Sequence, residues 1–147
     1  MTEYCTNEDL VKVRPAILDL GVADWATQIL KAGVEIDRSV ESLWYRRNAE
    51  DTSIDWRVTP FDRALLLNAV EQLTTLGVYK SLEHIYLYLM KHSSQDVFKG
   101  EMETFRDRYK VELKEVLLFG LDYDWDQDGT VDPAESKVRE TRRLSRV

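Results

Sequence analysis

Near its C-terminal end the chain carries six oxygen-bearing residues at the spacing that a hard cation requires: Asp124, Asp126, Asp128, Thr130, Asp132 and Glu135. Counted from Asp124, they hold positions one, three, five, seven, nine and twelve of one loop. A turn of backbone around a small ion brings positions one, three and five inward, and an aspartate stands at each. Position six must turn sharply at positive φ, and Gly129 occupies it. Thr130 would offer its backbone carbonyl, and Asp132 would ligate directly or through water. Glu135 would offer both carboxylate oxygens. Hard oxygen donors in this number suit Ca²⁺, with Mg²⁺ second. The expected role of Ca²⁺ is structural.

This stretch resembles the calcium loop of the EF-hand. The flanks depart from that pattern. Gly120-Leu121 interrupts the entering helix close to the loop, and the following Ser136 to Leu144 is too polar to pack against a partner hand. EF-hands work in pairs, and a tail of this composition builds no Met-rich groove, so a sensor is not expected. A simpler reading is a solvated acidic turn, in which Asp132-Pro133-Ala134-Glu135 starts a helix with a cap, a first-turn proline and a following glutamate. That reading leaves three alternating aspartates before a glycine unexplained, because they repel one another without a cation.

Other residue types offer less chemistry. Acidic pairs occur without a nucleophile, a Gly-rich phosphate loop or a set of bases, which points away from an enzyme. His84 and His92 read as surface or helix-end residues. Cys5, a single thiol, cannot form an internal disulfide and reads as a small buried hydrophobe. Trp25 and Trp44 sit on a helical stripe and read as core. Trp56, in an irregular segment, and Trp125, at a non-ligand loop position, are candidate partner contacts. So are Lys137, Arg139, Arg142, Arg143 and Arg146, which give residues 137–147 a charge of +4 directly after residues 122–135 at −6. Such a polar end fits ordering on a partner.

The elements that must position these residues follow from composition and periodicity. At 147 residues, 44% hydrophobic and 32% charged, the chain can bury a core in one domain. Its net charge of −7 argues against a general nucleic-acid coat. No apolar run reaches the length of a membrane span, and Met1-Thr2-Glu3-Tyr4 does not open a secretory signal, so a cytoplasm-like compartment is expected. Thr6 and Asp9 form a capping pair for a short helix that ends before Pro15. Trp25, Ile29, Gly33, Ile36, Val40 and Leu43 predict a helix from about Ala23 to Arg47. Asn48 to Val58 is expected to be irregular and partly extended. Thr59-Pro60 predicts a helix start, Gly77 its end, and Ser81 the cap of the next helix. Phe98, Met102, Phe105, Tyr109, Leu113 and Val116 predict a last long helix stopped by Gly120. The expected fold is an all-α bundle of about four main helices over residues 1–121, followed by the acidic loop 122–135 and a basic tail 136–147.

Two stretches carry a family resemblance. Tyr4-Cys5-Thr6-Asn7-Glu8-Asp9-Leu10 is similar to the start of tailed-bacteriophage head–tail connector proteins. Phe105 to Leu113, followed by Leu121-Asp122-Tyr123-Asp124-Trp125-Asp126, resembles connector sequences that end in an acidic loop. The resemblance implies a neck adaptor, or head-completion protein, in the virion, assembled in the host cytoplasm. It implies a homo-oligomeric ring, commonly of twelve copies, between the portal protein and the tail or a second neck protein. Packaged DNA would pass through the channel without sequence-specific binding. It further implies that residues 137–147 dock on the portal and that the chain is not an enzyme. Two other readings stand beside it: a cytoplasmic calcium-binding regulatory protein with a single loop, and a DNA-packaging accessory binding through residues 137–147.

Overall fold

The computed structural model describes residues 3–93 and 95–130. The first helix, α1 (Asn7–Val13), starts as its capping pair predicts. The Thr6 hydroxyl accepts the Asp9 N–H, and the Asp9 carboxylate accepts the Thr6 N–H at 2.9 Å. Two otherwise orphaned donors are thereby satisfied. A 3₁₀ turn, Ile17–Asp19, follows. The indole of the buried Trp25 donates to the Ile17 carbonyl at 2.9 Å, which fixes this turn against the next helix.

That helix, α2 (Ala26–Val40), begins three residues later than expected, because the Asp24 carboxylate accepts the Ala26 N–H at 2.9 Å and holds residues 24–26 as a turn. It also continues beyond the expected end. A π turn over Glu41–Tyr45 leads directly into α3 (Arg46–Asp51). The π turn places one extra residue in the helix. Trp44 and Tyr45, adjacent in sequence, are consequently both buried, at 2% and 1% exposure.

Two expected boundaries are absent, and one expected start moves. Thr59-Pro60 opens no helix. Instead the Asp62 carboxylate accepts the Ala64 N–H and caps a 3₁₀ turn, Arg63–Leu65. The next helix, α4 (Ala69–His92), runs straight through Gly77 and Ser81. Both are small because the N-terminal arm crosses them. A Cβ on Gly77 would lie 2.9 Å from Tyr4 Cβ, and the Ser81 hydroxyl is 3.4 Å from Cys5 Sγ. Then α5 (Val97–Phe119) ends at Gly120, whose φ of +88° suits glycine as the sequence predicts.

Helix α4 is central, with α2 and α5 packed on it. Two apolar clusters lie along this arrangement. One gathers Cys5, Leu10, Ile17, Trp25, Ile29, Leu82, Ile85, Phe98, Met102 and Phe105. The other gathers Ile36, Val40, Trp44, Tyr45, Leu73, Leu76, Leu117, Leu121, Tyr123 and Trp125. Full burial of one such aliphatic or Phe side chain stabilises the fold by about 1.5–3 kcal/mol. Between the helices runs a chain of charges: Arg106 meets Glu83 at 3.2 Å, Glu83 meets Lys80 at 2.9 Å, and Lys80 meets Glu35 at 2.9 Å, with the His84 imidazole 3.1 Å from Glu35. The chain is all-α. Among the described residues there is no strand and no helix long and apolar enough to cross a membrane.

Candidate metal loop and its aromatic seat

After Gly120 the backbone turns back across the segment that precedes α4. Leu67 N–H donates to the Asp122 carbonyl at 3.0 Å, and Asp124 N–H donates to the Leu65 carbonyl at 2.9 Å. Leu66 and Tyr123 thus form a single antiparallel bridge. The Gln72 side chain accepts the Asp122 N–H at 3.0 Å, which ties the same segment to the first turn of α4. Leu121, Tyr123 and Trp125 are buried beneath it.

Trp125 was expected to be a candidate contact on the surface; it is instead 9% exposed and part of the core. Its ring stacks on Tyr45 with centroids 5.4 Å apart and planes within 7°. Trp44 lies 5.7 Å away and Tyr123 4.7 Å away. Phe61 completes the group by stacking on Tyr123 at 5.7 Å. Each such pair is worth about 0.5–1.5 kcal/mol beyond the area it buries. The π turn supplies the other half of this seat, since it turns both Trp44 and Tyr45 inward. Burial raises the Tyr123 phenol well above its ordinary range, and its oxygen accepts the Asp62 N–H at 3.2 Å.

On this seat stands the acidic loop. The Asp124 carboxylate accepts the N–H groups of Asp128 at 3.1 Å and Gly129 at 2.9 Å. Asp126 also accepts from Asp128 N–H at 3.1 Å. Asp128 accepts the Thr130 N–H at 2.8 Å and its hydroxyl at 2.9 Å, and these bonds, the amide first, hold its carboxyl below the usual carboxylate range. Gly129 takes the expected positive φ of +84°, and Gln127 joins it at +60°. One carboxylate oxygen from each of Asp124, Asp126 and Asp128 can be chosen so that all lie within 4.8 Å of one another. Asp124 is buried, whereas Asp126 and Asp128 face solvent. An ionised carboxylate offers about four acceptor sites, so Asp124, with two N–H donors, retains capacity for a cation. The donor set therefore fits a hard divalent ion held by Asp124, Asp126 and Asp128, with Thr130 next in the loop. Asp132 and Glu135, expected at positions nine and twelve, lie outside the described residues. So do Lys137, Arg139, Arg142, Arg143 and Arg146.

Trp56 is half-buried against the core, with the Arg46 guanidinium 4.3 Å and the Arg57 guanidinium 5.0 Å from its ring centroid. His84 is not a surface residue: it lies in the seam between α4 and α2 beside Glu35, and burial lowers its pKa. His92 is exposed beside the Tyr88 ring. Cys5 is buried as expected, and burial pushes its thiol up to about 11.

One polar cluster had no signal in the sequence. The Tyr4 hydroxyl donates to Asp37, and the Arg63 guanidinium binds the same carboxylate while lying 4.3 Å above the Tyr4 ring. These residues come from three separate segments, so only the fold brings them together. No family model matches the chain, and neither curated proteins nor solved structures give a match.

Proposed function

We propose that this chain is a non-catalytic adaptor of the neck of a tailed-bacteriophage particle, forming a ring between the portal protein and the tail or a second neck protein. The observation that carries this reading is the anchoring of the C-terminal segment. Residues 121–125 are tied by backbone bonds to residues 65–67 and seated on Trp44 and Tyr45, so the acidic loop leaves a rigid body from a fixed point. A joint between two protein rings needs such a body, with a terminal arm aimed at the next ring. The two stretches that resemble connector proteins support the reading further, because they are structural anchors here. Tyr4 and Cys5 wedge against Gly77 and Ser81, and Leu121, Tyr123 and Trp125 close the core. The surplus negative charge suits a channel wall along which DNA must slide without sticking.

In this proposal residues 137–147 dock on the portal and the acidic loop sets their direction. Cryo-electron microscopy of the virion tests it: density for the chain is expected at the neck, and a neck reconstructed without it refutes the reading. Mixing the purified chain with portal protein should also give a complex that is lost when residues 137–147 are deleted.

A structural Ca²⁺ in the loop is the second part of the proposal, supported by the proximity of the three aspartates. Calorimetric titration should give calcium binding without a large change in circular dichroism. Micromolar binding with a large conformational change would favour the regulatory protein instead. Salt-sensitive DNA binding lost with residues 137–147 would favour the packaging accessory.

A further inference from the structure

A hollow of about 310 Å³ opens between the 3₁₀ turn and the start of α5. That volume is at the lower end of the range for small-molecule sites. Its apolar lining comes from three elements: Ile17 and Leu20 at the turn, Phe98 in the first turn of α5, and Tyr86 in α4. Tyr86 and Phe98 stack on each other with ring centroids 6.1 Å apart, so one wall is aromatic. Ile17, Tyr86 and Phe98 belong to the apolar cluster that lies away from the acidic loop.

The polar groups of the hollow are gathered in one place. Arg14 and Glu101 also line it, and Arg14 Nε donates to the Glu101 carboxylate at 3.0 Å. Arg14 Nη1 donates to the Val13 carbonyl at 3.1 Å, and the guanidinium lies 4.8 Å from the centroid of the Phe105 ring. The Tyr86 phenol is close to both charges: burial raises its pKa, the Glu101 carboxylate raises it further, and Arg14 lowers it. It is therefore an uncharged hydroxyl at neutral pH. A guanidinium has five N–H donors and a carboxylate about four acceptor sites, so the pair keeps donors and acceptors beyond the bond it makes with itself. The two side chains are 34% and 31% exposed, which leaves that capacity within reach.

A molecule entering here meets apolar walls and a rim whose charges cancel. A carboxylate would gain Arg14 but face Glu101, and an ammonium would gain Glu101 but face Arg14. A carboxamide suits both, because its oxygen accepts from the guanidinium while its N–H donates to the carboxylate. A planar ring suits the aromatic wall. We infer that this hollow is a binding site for a small uncharged aromatic amide, its ring against Tyr86 and Phe98 and its amide on the Arg14–Glu101 pair. The site is separate from the acidic loop and does not depend on the adaptor reading.

Benzamide, benzoate and benzylammonium have nearly one shape and differ in charge, so they test the site on the full chain by titration at neutral pH, followed in proton–nitrogen NMR spectra. Benzamide should shift the backbone amide signals of Ile17, Leu20 and Phe98, and it should bind about tenfold or more tightly than either charged compound. Glu101→Gln removes the acid and leaves Arg14, so benzoate should then bind more tightly than benzamide. Val97→Trp places a large ring at another lining position, one that is 60% exposed and so has room for it. That variant should fill the hollow and abolish the benzamide shifts while leaving the circular dichroism unchanged. The inference is overturned if benzamide at about 10 mM moves none of those signals. Equal binding of the three compounds, a charge preference that Glu101→Gln does not alter, or benzamide binding that survives Val97→Trp would each overturn it as well. Should Glu101→Gln fail to fold, the wild-type comparison and Val97→Trp decide the matter.

Discussion

The same substitution at two helical glycines should change stability in opposite directions. Alanine is favoured over glycine inside a helix by about 1 kcal/mol. At Gly100, in α5, a new Cβ meets nothing within 4 Å, so Gly100→Ala should realise up to about that gain. At Gly77 the new atom would sit 2.9 Å from Tyr4 Cβ, 3.3 Å from the Tyr4 carbonyl carbon and 3.5 Å from Cys5 Cβ. Tyr4 cannot easily yield, because its hydroxyl is held by Asp37, which Arg63 holds in turn. Overpacking of this kind costs about 1–3 kcal/mol. The clash therefore outweighs the helix gain, and Gly77→Ala should lose about 1 kcal/mol net. For a chain of this length that is a fall in Tm of about 3–5 °C, with a rise of similar or smaller size for Gly100→Ala. Thermal unfolding followed by circular dichroism, with urea titration for the free energies, reads both. The two sites share no partners, so the double variant should add to within about 0.5 kcal/mol. A Gly77→Ala protein that is stabilised as much as Gly100→Ala would refute the packing of the N-terminal arm on α4.

Three further outcomes follow from the other features. Trp125→Ala removes the ring stacked on Tyr45 and should cost about 3 kcal/mol in urea unfolding, with loss of near-ultraviolet dichroism; a cost below about 1 kcal/mol would show that the seat is not part of the core. Burial lowers the pKa of His84 in the folded state, so the unfolded chain binds the extra proton first as pH falls through 6.5. Stability should therefore decline from pH 7.5 to pH 5, and His84→Gln should flatten that limb in thermal melts; an unchanged slope refutes the assignment. Calcium at about a hundred times its dissociation constant should stabilise the wild type by about 2.7 kcal/mol, and Asp124→Asn combined with Asp126→Asn and Asp128→Asn should abolish the rise in Tm; a rise of equal size in that variant removes the loop as the binding site.

What could be read from the sequence was what local chemistry decides. The capping pair at Thr6 and Asp9, the apolar stripe of α5 and the stop at Gly120 all rest on residues within a few positions of each other. The failures share a different cause. Gly77 and Ser81 carry the signature of helix ends, yet they are small because a distant arm presses on α4. Thr59-Pro60 has the look of a helix start, but Asp62 three residues later takes the capping role. Trp125 stands at a loop position that needs no ligand, and nothing local says that a π turn some eighty residues earlier has turned two aromatic rings toward it. The left-handed turn at Gly129 was legible because only backbone strain is at issue there. The cluster of Tyr4, Asp37 and Arg63 was not, since three segments must fold before it exists.

The wide turn at Glu41–Tyr45 has a consequence for how this rod can change. One added residue rotates everything after it by about 100° relative to an uninterrupted helix. The stretch before the turn stays in phase with α4, and the stretch after it comes into phase with the rings beneath the acidic loop. A single rod can in this way line two differently oriented interiors without a joint between them. Deleting one residue there would restore an ordinary helix and swing Arg46 to Asp51 out of step, so the aromatic seat depends on the length of this stretch.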